Sequence, residues 1–68
     1  MNAQNLISTS VDDAKIYLEH IANDDPIRCL YEVATATDLL NARGAEKKTL
    51  RKALVSSGRK ALKNLEAL

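Results

Sequence analysis

An all-α fold, a unit of three helices over about residues 11–22, 26–43 and 45–67, is what the sequence predicts. Three observations carry it. Apolar residues recur at spacings of three and four, which stacks them on one face of a helix. The strongest turn signals fall at Asn23-Asp24-Asp25-Pro26 and at Gly44, where helices are expected to stop. No stretch alternates apolar with polar residues as a half-buried strand would, and no hairpin signal or internal repeat is present. Such a unit is either a closed bundle or an open one completed by a second copy.

Residues 1–9 are rich in Asn, Gln, Ser and Thr and follow neither period. They are read as a flexible N-terminal arm, with Leu6 and Ile7 available to dock, and residues 10–68 as a single helical domain. Ser10-Val11-Asp12-Asp13 has the form of a helix start. A serine hydroxyl accepts from the free amides of the first turn, and the two carboxylates complement its positive end. Val11, Ala14, Leu18 and Ile21 then keep one face. Asn23 suits a left-handed helix end, Asp25 a cap, and Pro26 the first position of the next helix. So short a connection sets these two helices antiparallel.

The second helix is apolar around more than half its circumference, through Ile27, Leu30, Tyr31, Val33, Ala34, Ala36 and Leu40, and is therefore expected at the centre. Arg28, Glu32, Thr35 and Arg43 form its narrow polar face, and Leu39 projects into the middle of that face. Leu39 is accordingly a candidate contact for a protein partner. Gly44 ends the helix. In the third, Leu50, Ala53, Leu54, Ser57, Ala61, Leu65 and Leu68 make the core-facing stripe, while Lys48, Lys52, Arg59 and Lys63 line the far side with Lys60 beside them. Val55 and Leu62 lie toward the edge of the stripe. Gly58 costs about 1 kcal/mol against Ala inside a helix, yet the stripe keeps its phase across it, so one helix is expected, bent if anywhere at Ser56-Ser57-Gly58.

With 68 residues, no Phe or Trp, and Tyr17 and Tyr31 as the only aromatics, the core is thin. Small cores without aromatic bulk gain from a partner surface, and a two-fold homodimer is the simplest one. The lone Cys29 has no partner for an intramolecular disulfide, and one Cys with one His makes no metal-ligand set. No cofactor motif is present. The N-terminus does not resemble a signal peptide, and no stretch approaches the roughly 20 apolar residues of a membrane span, so the expectation is a cytoplasmic protein.

Net charge is +1, but its distribution is uneven. Residues 1–44 set Lys15, Arg28 and Arg43 against Asp12, Asp13, Glu19, Asp24, Asp25, Glu32 and Asp38, for −4. Residues 45–68 set Lys47, Lys48, Arg51, Lys52, Arg59, Lys60 and Lys63 against Glu46 and Glu66, for +5. Either the basic helix lies on the acidic ones, where exposed pairs contribute little, or its face is left for a polyanion. A bilayer surface suits it less, because the stripe contains Ala and Ser and packs more economically on the protein's own core.

Catalytic equipment is sparse. His20 has only Glu19 beside it, which is not a helical neighbour spacing. Each adjacent Asp pair is explained by capping, Cys29 has no base at hand, and Gly44 and Gly58 are too far apart for a phosphate loop. The segment from Asp38 through Gly44 to Leu54 resembles a helix-turn-helix unit, a helix, a glycine turn and a second helix carrying basic and hydroxyl residues. Leu40 is larger and Ala45 smaller than such units usually hold. The resemblance implies DNA contacts through Lys47, Lys48, Thr49, Arg51 and Lys52, extended by Arg59 and Lys63. The leading expectation is a small non-enzymatic interaction or regulatory protein that binds a protein partner through a helical face. DNA binding around Gly44 is the alternative, and the binding residues in question are Lys47, Lys48, Arg51, Lys52, Arg59 and Lys63.

Overall fold

The computed structural model describes all 68 residues and holds four α-helices and no strand: α1 (Ala3–Ser8), α2 (Val11–Asp24), α3 (Pro26–Ala42) and α4 (Lys48–Glu66). The first three begin where a polar side chain can take up a first-turn amide. Asn2 Oδ1 accepts from the Asn5 N–H at 2.9 Å, Ser10 Oγ from Asp13 at 3.2 Å, and Asp25 Oδ1 from Arg28 at 3.2 Å. Asp25 closes α2 as well, its N–H donating to the Ile21 carbonyl at 2.9 Å, so α2 runs two residues past its expected end and Asn23 stays helical. Gly44 takes the left-handed conformation, φ +63°. There the Ala45 N–H donates back to Leu40 and the Gly44 N–H to Asn41, the Schellman pattern that satisfies terminal carbonyls.

Two expectations are corrected. Residues 1–9 are not a featureless arm: they contain α1, with Ala3, Leu6 and Ile7 buried. A helix of six residues is far below the roughly 12–15 needed for stability alone in water, so its cause lies in packing and its span is too short to show a period. The last helix starts at Lys48, not at residue 45. Residues 45–47 are held apart from it by Lys47, which sits at φ 39°, and by the docking of Ala45 on the core. Past Gly58 the helix is continuous.

Helices α2, α3 and α4 form an up-down-up bundle. Cys29 is fully buried near its middle, its Sγ 3.8 Å from the Ser57 carbonyl of α4 and 4.0 Å from the Leu18 carbonyl of α2. Asn64 Nδ2 donates to the Ala22 carbonyl at 2.7 Å, while Lys15 and Glu19 line a shallow groove with Lys52, Ala53 and Ser56. Helices α2 and α4 are therefore parallel. Leu18, Leu40 and Leu54 are fully buried between the helices, and Leu6 of α1 joins the same core. The assembly measures 36 × 20 × 18 Å.

Candidate functional site

Helix α4 presents its outer face as the most charged surface of the chain. Lys48, Lys52, Arg59, Lys60 and Lys63 are exposed, and none makes an ion pair. The chain's two ion pairs are both elsewhere, His20 to Asp24 at 3.1 Å and Arg28 to Glu32 at 3.6 Å, each between side chains four residues apart on one helix. The opposed halves of the sequence thus do not neutralise one another through close contacts. The start of α4 goes further against local preference. It has no side-chain cap and no acidic residue in its first turn, and Lys48 stands there instead, at the end of the helix dipole that favours negative charge.

The other two basic candidates, Lys47 exposed and Arg51 half-buried, are tied to backbone carbonyls. Lys47 Nζ donates to the Ile7 carbonyl at 2.8 Å, fastening α1 to the α3–α4 turn. Arg51 folds over the same turn, donating from Nε to the Glu46 carbonyl and from Nη2 to the Ala45 carbonyl at 2.6 Å. Lys47 thus takes up a last-turn carbonyl of α1 and Arg51 two carbonyls of the α3–α4 turn, all without helical partners of their own. Leu39 likewise differs from expectation. It is half-buried and packs on the core, because α1 lies along that side of α3.

Apart from Ile16 on α2 and residues at the chain ends, the exposed large apolar side chains sit on α3 and α4. Ile27 is 69 % exposed and Tyr31 71 %, and on α4 Val55 is 52 % and Leu62 50 % exposed. Sequence reasoning placed Ile27 and Tyr31 in the buried arc, because a wide apolar arc does not say which part of it has a neighbour. A finer signal was available: Ile27, Tyr31 and Ala34 keep phase with one another and stand about half a turn from Cys29, Ala36 and Leu40.

Helices α3 and α4 lie side by side along their length. Cys29 and Ser57, in contact at mid-bundle, lie roughly 20 Å and roughly 14 Å from the ends of α3 and α4 at the Gly44 turn, at about 1.5 Å per residue. A helix-turn-helix instead crosses its helices at a wide angle. Lys48, Thr49 and Lys52 still face water, but as one side of a hairpin.

Groups with reaction potential are not assembled. His20 is exposed beside Asp24. Burial, with the charge of Glu32 adding to it, pushes the Cys29 thiol above its ordinary pKa, which makes it less nucleophilic. Burial first, then the hydrogen bond to Glu32, raises Tyr17 as well. That hydroxyl lies 2.8 Å from both Glu32 Oε2 and the Met1 carbonyl, a tie between α2, α3 and the chain start. No three or more of His, Cys, Asp and Glu come together as a metal-binding group, and no helix is long and apolar enough to cross a membrane. No family model matches this chain, and no curated protein or solved structure is significantly similar to it.

Proposed function

We propose that this chain is a small, non-enzymatic, homodimeric interaction and regulatory protein that binds a protein partner through the outer face of α4, and that the partner segment is acidic. The observation that carries the reading is the row of exposed cations at Lys48, Lys52, Arg59, Lys60 and Lys63, none in an ion pair while the same chain holds an excess of carboxylates in its first half. Such a surface attracts and orients an oppositely charged partner. DNA is the alternative ligand of that face. A protein is preferred because Lys47 and Arg51, two of the cations a DNA-binding turn would use, are committed to backbone carbonyls.

Fluorescence anisotropy tests the choice. A labelled acidic amphipathic peptide and a labelled mixed-sequence duplex DNA are titrated with the protein across a salt series, alongside the Lys60→Glu, Lys63→Glu variant. Peptide binding that the variant loses supports the reading. Tight duplex binding with a steep salt slope, lost in the variant, transfers the face to nucleic acid. Silence with both ligands at low salt removes the cationic face as the site.

A further inference from the structure

We infer that the homodimer forms through the outer seam between α3 and α4, with the two copies side by side and parallel, α3 of each lying on α4 of the other. The inference rests on the self-association proposed above and specifies its face and direction.

Four large apolar side chains, Ile27 and Tyr31 on α3 and Val55 and Leu62 on α4, are each half or more exposed. Helical phase puts them together. On α3, Ile27 and Ala34 lie on the side away from α2, as Val55 and Leu62 do on α4, where Gly58 and Val33 mark the line of α3–α4 contact. Ile27, Val55 and Leu62 therefore border one outer face of the α3–α4 pair, with Tyr31 at its edge, farther round α3 from the Val33 contact line. Apolar side chains gathered on one face and rimmed by charged ones are the composition of an interaction surface.

Charge selects the occupant and its direction. The Val33–Gly58 approach, with Val33 Cγ1 3.6 Å from where a Gly58 Cβ would stand, aligns the antiparallel helices in height. Counted from that approach, Leu62, Arg59, Val55 and Lys52 stand within about two residues, roughly 3 Å, of the heights of Ile27, Tyr31, Ala34 and Asp38 in turn. A two-fold axis along the bundle lays each of these α3 residues on its α4 counterpart in the other copy. Ile27 and Ala34 then meet Leu62 and Val55 at the centre. At the rim Tyr31 meets the Arg59 guanidinium, a cation–π arrangement, and Asp38 meets Lys52. This is the apolar core and polar rim of a specific interface, and each pair occurs twice. The perpendicular axis lays α4 on α4 and brings Arg59 toward Arg59 and Lys52 toward the Arg59–Lys63 end, a repulsion of like charges. Asp38 and Lys52 are both exposed, and neither is paired within its own chain. Lys48, Lys60 and Lys63 remain outside the seam for the partner.

Sedimentation equilibrium on the full chain, with helicity checked by circular dichroism, decides it. Asp38→Lys and Lys52→Asp are surface changes, and each alone sets like charges opposite one another twice per dimer. Each is expected to weaken self-association by about tenfold. Mixed in equal amounts, the two variants regain the wild-type dimer as a heterodimer, because each then offers the sign the other lacks. Leu62→Asp abolishes it. A wild-type chain that stays monomeric at high concentration overturns both the inference and the homodimer. A dimer indifferent to the single substitutions, or one that the mixture does not restore, overturns the face or the direction while leaving self-association standing.

Discussion

Glu32 shows how one residue sets the behaviour of its neighbours. It is 4 % exposed, with Arg28 on one oxygen and the Tyr17 hydroxyl on the other. A buried carboxylate is retained at low cost only when its lone pairs are occupied. Its presence, after burial itself, holds Tyr17 and Cys29 in their neutral forms. The unfolded chain releases these protons at the ordinary values of about 10 for a phenol and about 8.5 for a thiol. Above those values the native state holds more protons than the unfolded one, so stability falls as pH rises, and below them neither group changes stability. Urea midpoints should accordingly be insensitive to these groups near neutrality and decline in the alkaline range. Tyr17→Phe should flatten the part of that decline above about pH 10; an unaltered slope would assign the loss to other groups.

At the scale of elements, α1 and α4 make opposite points. Helix α1 exists because Leu6, with no exposed surface, fills the core. Leu6→Ala is expected to cost about 2–5 kcal/mol, a large share of the roughly 3–10 kcal/mol available to a chain of this size. A loss within experimental error in the urea midpoint would mean that α1 is not held as described. Helix α4 exists from its own pattern and could be made more stable. A Cβ at Gly58 would meet only Val33 Cγ1, at 3.6 Å, ordinary contact, so Gly58→Ala should stabilise by about 1 kcal/mol. Lys48→Glu should stabilise by about 0.3–1 kcal/mol, since an acid at the uncapped helix start suits the dipole and pairs with Lys52 four residues on. Thermal melts read both. If Lys48→Glu also weakens partner binding, the cation is shown to serve binding at the expense of the fold.

For the whole molecule, the decisive fact is that the two charged halves pack together without ion pairs between them. Like charges four apart on α4, Lys48 with Lys52 and Arg59 with Lys63, repel along an exposed face. At protein concentrations low enough to exclude self-association, moderate salt should therefore raise the melting temperature by screening that repulsion. Partner binding should weaken over the same range. A fold held by surface ion pairs would show the reverse response in melting. Both measurements on one sample separate the use of the cations from their cost.

The sequence by itself determined where α2, α3 and α4 run, because caps at Ser10 and Asp25, the glycine at Gly44 and the phase of Leu50, Leu54 and Ala61 are local properties of a helix. It also located the cationic face, since helical spacing is enough to align Lys48, Lys52, Arg59 and Lys63. Only the tertiary structure decided what each face meets. Docking of Leu6 and Ile7 turned an unpatterned stretch into α1, closed over the Leu39 side of α3 and left Ile27 and Tyr31 on the outside. The left-handed residue 47 brought Lys47 to the Ile7 carbonyl and Arg51 to the turn, committing both to backbone carbonyls while Lys47 stays exposed. These outcomes depend on contacts between residues up to 40 positions apart, and a helical period carries no information about which neighbour a face will find.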